Sequence, residues 1–185
     1  MKDSLYQALM EDIKEYITTD ENIELITKAY ELSKSKHLGQ TRVSGEPYIT
    51  HPVAVARILA EIHAGPLTLC AALLHDTVED TDLTLKDIEK IFGKDVVTLV
   101  DGVTKLTKLN FQSTVQADNQ QKMLLAMAKD IRVVLIKLAD RLHNMRTMDS
   151  MLQDKQVRIA KETLEESYNE IKSEITKSAD ENGIT

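Results

Sequence analysis

Backbone-breaking residues are rare in this chain: six glycines and three prolines among 185 residues. Helices therefore have few places to stop. No apolar stretch approaches the roughly 18 residues of a membrane span, so none is expected. A signal peptide is missing too, because Met1-Lys2-Asp3-Ser4-Leu5 leads into an acidic amphipathic pattern. The single cysteine, Cys70, excludes an internal disulfide and fits a cytoplasmic, reducing location. It lies in an apolar run and is expected in the core. Thirty acidic residues against 23 basic ones leave a net charge of −7 and no broad cationic face. That argues against a nucleic-acid polymer as partner. A small phosphorylated ligand needs only a local cluster of Arg and Lys, or a metal.

What the chain does have is helical periodicity, almost from end to end. Leu5, Leu9, Ile13 and Tyr16 predict a helix over 4–18. Ile23, Ile26, Ala29, Tyr30 and Leu32 predict a second over 20–37. Residues 38–50, with Gly39, Gly45 and Pro47, read as a loop. His51-Pro52 opens a third helix, with proline placed where no amide donor is needed, and Ala64-Gly65-Pro66 ends it. The apolar run Leu69–Leu74 is a fourth. Thr84-Leu85-Lys86-Asp87 marks another start and Gly93 a stop. Further helices are expected over 94–104, 116–128, 131–148 and 153–178, with a polar connection at 106–115. The β-branched stretch Ile131–Ile136 continues into Leu138, Ala139, Leu142 and Met145, which favours helix over strand. The fold class is all-α, and the length suits one domain with a sizeable core.

The chemistry concentrates in His75-Asp76-Thr77-Val78-Glu79-Asp80. In a helix, residues three and four apart share a face. Asp76 then neighbours Glu79 and Asp80, and His75 neighbours Glu79. An apolar run ending in an imidazole and three carboxylates concentrates negative charge where water is scarce, at a cost of several kcal/mol unless a cation sits among them. Histidine with carboxylates suits a borderline cation such as Mn²⁺, Fe²⁺ or Zn²⁺. The alternative is a cluster that only caps helices. Asp140 falls inside a strongly apolar helix, on a stripe with Asn144 and Thr147, while Leu138, Leu142 and Met145 form another stripe. It is either functional or paired with an arginine such as Arg141. His51 stands at a helix start beside a glycine-containing loop, as a site residue or as a cap. The loop Arg42-Val43-Ser44-Gly45-Glu46-Pro47-Tyr48 offers groups that suit a phosphorylated purine, or is a solvated connection.

Four stretches in this order resemble the hydrolase domain of the RelA/SpoT homologue family, within the HD superfamily of metal-dependent phosphohydrolases. They are Gly45–Pro52, His75–Asp80, Val100–Leu106 and Ile136–Thr147. Resemblance runs from about residue 25 to 164. It implies an HD-domain helical bundle in which His51, His75, Asp76 and Asp140 ligate one Mn²⁺. Glu79 and Asp80 would handle the water nucleophile and its proton. It also implies a guanine pocket involving Arg42, Ser44, Asn144, Thr147 and Met151. Lys137, Arg141 and Arg146 are candidates for the distal phosphates. The implied activity removes pyrophosphate from the 3′ position of the alarmones ppGpp and pppGpp, leaving GDP or GTP. Val43 and Gln121 stand where many members carry a basic residue. After Glu162-Thr163-Leu164-Glu165 the sequence keeps a helical, acidic character where the family leads to a synthetase domain, and no synthetase half is expected from it. A free-standing small hydrolase is the favoured reading, and a fragment of a bifunctional protein is the alternative. Two further alternatives are hydrolysis of another nucleotide such as NADPH, and alarmone binding without cleavage.

Overall fold

The computed structural model describes residues 4–112 and 130–147, with side chains over 4–107 and 130–147. The expected helices over 116–128 and 153–178, along with Gln121 and Met151, lie outside the described residues. Among those described there is no strand, only an isolated bridge between Thr41 and Pro47. The described residues form seven helices joined by turns and loops: α1 (Ser4–Lys14), α2 (Asp20–Lys36), α3 (Thr50–Glu61), α4 (Pro66–Leu74), α5 (Thr77–Asp80), α6 (Leu85–Gln112) and α7 (Ile131–Arg146). None is long and apolar enough to cross a membrane. The chain divides into two compact units, Met1–His143 and Asn144–Thr185.

Helix α4 is the centre of the first unit. Every residue from Thr68 to Leu74 is buried, as expected of a helix that is apolar on all sides. It packs against α2, α3 and α6, and α1 packs on α3. The core around it includes Leu9, Ile13, Ile26, Tyr30, Leu59 and Leu99, each essentially inaccessible. Cys70 is fully buried, and burial pushes its thiol up to about 12, so it stays protonated and inert.

Local chemistry explains the helix ends. Acidic Asp20 and Glu21 open α2, and Lys34 and Lys36 close it, which suits the helix dipole. At the start of α6, Thr84 N–H donates to Asp87 Oδ2 at 3.2 Å, and Asp87 N–H returns the bond to Thr84 Oγ1 at 3.3 Å. This is a capping box with Asp in the usual Glu position. Pro66 opens α4, where a missing N–H costs nothing.

Several boundaries differ from expectation. The first helix ends at Lys14 rather than residue 18. The third begins at Thr50, so Pro52 sits inside its first turn, where amides still lack helical acceptors. Gly93 does break α6, with a left-handed φ of 83° that only glycine adopts readily. Beyond it, however, the helix runs to Gln112 and absorbs most of the expected connection at 106–115. On α7 the stripe of Asp140 and that of Leu142 and Met145 face different ways. The buried side of the helix carries Val133, Ile136 and Asp140, while Leu142 and Met145 are exposed. Gly102 explains how α7 approaches α6. A Cβ there would lie 2.7 Å from a Val133 methyl, so a side chain would push the helices apart.

Candidate metal centre

Three elements bring the ionisable groups together. His51 projects from the first turn of α3 and is buried. His75 and Asp76 form the break between α4 and α5, so the apolar run delivers them directly to the buried end of α4. Asp140 comes from the buried face of α7. The four gather tightly. His51 Nε2 lies 3.2 Å from Asp140 Oδ1 and 3.5 Å from Asp76 Oδ2. His75 Nε2 lies 3.0 Å from Asp76 Oδ1 and 4.0 Å from Asp140 Oδ1. Cis donors about 2.1 Å from one metal are roughly 3.0–3.5 Å apart, so these spacings suit a single ion.

The tautomers fit as well. His75 Nδ1 donates to the carbonyl of Ala72 at 2.7 Å. In the neutral ring the lone pair then sits on Nε2, which is buried and lacks a hydrogen-bond partner. It faces carboxylate oxygens, and lone pair against lone pair is repulsive unless a cation or a proton lies between. His51 Nδ1 lies 2.8 Å from His143 Nδ1. With His51 donating, its Nε2 also turns a lone pair to the cluster, the usual arrangement of an outer partner behind a metal-binding histidine. His51, His75 and Asp76 each offer a donor atom within 4.8 Å of the others, a group that could hold a divalent cation, and Asp140 Oδ1 lies beside both histidines.

The electrostatics carry the same signature. Burial lowers the His51 imidazole, although Asp140 and Asp76 oppose it. At His75 burial also acts downward, but Asp76 and Asp140 together outweigh it and push the ring up to about 9. Burial raises the carboxyls of Asp76 and Asp140, but nearby imidazoles, and Lys137 for Asp140, hold both well below the usual range. A proton on His75 and a bound cation would thus answer the same local excess of negative charge.

Other expected residues take varied places. Glu79 and Asp80 are both exposed on α5. Asp80 is tied to the centre: the Tyr48 hydroxyl lies 2.8 Å from Asp76 Oδ2 and 2.9 Å from Asp80 Oδ2 and can donate its one proton to either. Burial and those two carboxylates push the Tyr48 phenol far up, so it stays a donor. Arg42 and Ser44 lie in the α2–α3 loop. The Arg42 guanidinium is 5.8 Å from the Tyr48 ring centroid, and Ser44 Oγ is 3.4 Å from Glu46 Oε2. The Lys137 ammonium lies 2.7 Å from Asp140 Oδ2. It was expected on substrate phosphates. Arg141, offered by the sequence as an alternative partner of Asp140, is buried. Thr147 Oγ1 donates to the Asn144 carbonyl at 3.3 Å, at the end of α7. Sequence reasoning missed His143, which the three-residue spacing from Asp140 was able to flag. It also missed the hydroxyl role of Tyr48, for which no spacing signal exists.

Comparison with known proteins places this geometry. Residues 29–165 match the HD domain family. The chain is 55% identical over 163 residues to the bifunctional (p)ppGpp synthase/hydrolase SpoT of Escherichia coli, covering 87% of this chain and 23% of that protein. It is 57% identical over 140 residues to a GTP pyrophosphokinase of Streptomyces coelicolor, covering 76% of this chain and 16% of the relative. It therefore spans less than a quarter of these curated relatives. A solved structure of a metazoan SpoT orthologue that hydrolyses ppGpp matches with a TM-score of 0.62 and 26% identity, over 87% of this chain and 97% of that one. The match over residues 29–165, on a chain whose described elements are helices, makes this chain a member of the HD domain family.

Proposed function

We propose that this chain is a Mn²⁺-dependent hydrolase that removes the 3′-pyrophosphate of ppGpp and pppGpp, yielding GDP or GTP. The observation that carries the reading is the convergence of His51, His75, Asp76 and Asp140 with Asp80 one hydroxyl away. The named activities of the SpoT relatives, synthase/hydrolase in one and ppGpp hydrolysis in the other, supply the substrate class.

His51, His75, Asp76 and Asp140 would hold the ion. When bound, it acidifies water and offsets charge on the attacked phosphoryl group. The protein does the rest. Glu79 and Asp80, exposed on α5, are assigned the proton exchange with the nucleophile and the leaving group. Tyr48, fixed between Asp76 and Asp80, orients the second of these. Lys137 holds one oxygen of Asp140 and leaves the other toward the histidines. Arg42 and Ser44, with Asn144, Thr147 and Met151, are assigned to the guanosine, and Arg141 to phosphate or to support of α7. The hydrolase is read as a single HD-type domain with its core over about 25–164, acting in the cytoplasm.

Turnover of ppGpp, NADPH and deoxynucleoside triphosphates with Mn²⁺ tests the substrate. Preferred release of pyrophosphate from ppGpp is expected. Activity confined to NADPH or deoxynucleotides would reassign the enzyme, and binding of ppGpp without turnover would make it a sensor.

A further inference from the structure

Helix α5 is four residues long. A single helical turn does not hold itself together in water, yet it carries Asp80, an exposed side chain whose position matters to the reading above. The α2–α3 loop supplies what α5 lacks, and much of the connection passes through Gln40. Its Nε2 donates to the Asp80 carbonyl at 2.9 Å, one of the helix-end acceptors with no partner inside the turn. Its own backbone carbonyl accepts from the Tyr48 amide at 3.0 Å. The same side chain thus anchors the backbone of Asp80, while its main chain anchors the residue whose hydroxyl bonds the Asp80 carboxylate.

The Gln40 amide is itself locked. Its Oε1 accepts from His37 Nδ1 at 2.7 Å, which forces the amide nitrogen toward Asp80. His37 is buried and stacks on the Tyr48 ring, with centroids 4.5 Å apart and planes 22° apart. With the proton on Nδ1, the buried Nε2 of His37 has no hydrogen-bond partner. Leaving a buried polar atom unpaired costs stability, so the ring is held in an orientation that serves its other contacts.

We propose that Gln40 is a positioning residue for the hydrolysis: with His37 behind it, it clamps α5 to the α2–α3 loop and sets the distance between Asp80 and the metal ligand Asp76. The proposal rests on Asp80 as a proton-handling group. Gln40 is not among the proposed metal ligands; its bonds go to His37, Tyr48 and Asp80.

Gln40→Met keeps length and removes both side-chain bonds, and Gln40→Glu keeps the acceptor for His37 but loses the donor to Asp80. Both variants, loaded with Mn²⁺ to wild-type content, should lose about tenfold or more in kcat on ppGpp, with KM changed by no more than about threefold. Amide exchange over residues 77–82 should accelerate by about fivefold or more in both, while α4 stays protected. A variant with wild-type kcat, or unchanged exchange over 77–82, overturns the clamp, even if its melting temperature falls. Wild-type protein that fails to turn over ppGpp contradicts the proposed function instead, and the exchange rates then decide the clamp.

Discussion

Replacing His143 with alanine should weaken the metal centre without touching a ligand. His51 Nδ1 and His143 Nδ1 are 2.8 Å apart, so only one carries the shared proton. Without metal, His51 Nε2 is suited to donate to Asp140 Oδ1 at 3.2 Å, and His143 then donates to His51. Metal binding requires the lone pair on Nε2, so the proton between the rings must belong to His51 and His143 must accept. His51 is 1% exposed, and water has poor access to replace that acceptor. Losing such an outer partner typically costs 10–100-fold in metal affinity, or about 1.4–2.7 kcal/mol. The acceptor bond itself accounts for roughly 1 kcal/mol of this, and the rest is loss of ring orientation. Calorimetric titration with Mn²⁺ at constant pH measures the effect. His143→Asn keeps an acceptor on the γ-substituent and should recover most of the affinity, whereas His143→Ala should not. An alanine variant that binds Mn²⁺ within twofold of wild type would refute the account of His51.

Other consequences are as direct. Asp76→Ala removes a ligand shared by both histidines and should abolish metal content and turnover together, as read by elemental analysis and product release; surviving turnover would show the metal assignment to be wrong. Tyr48→Phe should lower kcat by about tenfold, since it frees Asp80 from a charge-assisted bond, and a wild-type kcat would leave Tyr48 only a packing role. Gly102→Ala should cost about 1–3 kcal/mol in chemical denaturation, because its methyl meets the stiff Val133 side chain at 2.7 Å; an unchanged midpoint would mean that α7 moves freely. The metal-free protein should also lose stability as pH rises. His75 is raised from 6.5 to about 9, so its contribution is fully present below 6.5 and is lost as pH climbs through about 9, by no more than a few kcal/mol. Asp76 and Asp140 are lowered, so theirs is present above the ordinary carboxylate range and fails only in acid. Thermal melts in EDTA between pH 6.5 and 9.5 should decline, and a flat profile would contradict the coupled cluster. With Mn²⁺ bound the trend should reverse, because the ion displaces the His75 proton.

The helices were legible because their apolar residues recur at helical spacing, and α4 stood out because it is apolar all round. The polar connection at 106–115 misled because Lys105, Lys108 and Gln112 are as compatible with a solvated helix as with a loop. The two stripes on α7 were legible, but not which one is buried: Asp140 faces inward to meet two histidines, and Leu142 is left outside. The pairing of His75 with Asp76 was visible in six residues. That His51, 24 positions earlier, and Asp140, 64 positions later, complete it follows from how α3 and α7 pack, which spacing does not encode. The same holds for Tyr48, Gln40 and His143, whose roles exist only once the α2–α3 loop lies over α5 and α7 lies beside α3.

The central claim is that these four residues hold a divalent ion that the chain uses to hydrolyse ppGpp. The direct test is pyrophosphate release from ppGpp by protein stripped with EDTA, then supplied with Mn²⁺. The account predicts no release after stripping and full recovery on adding Mn²⁺ back. Equal turnover with and without the metal, or none in either state, contradicts it.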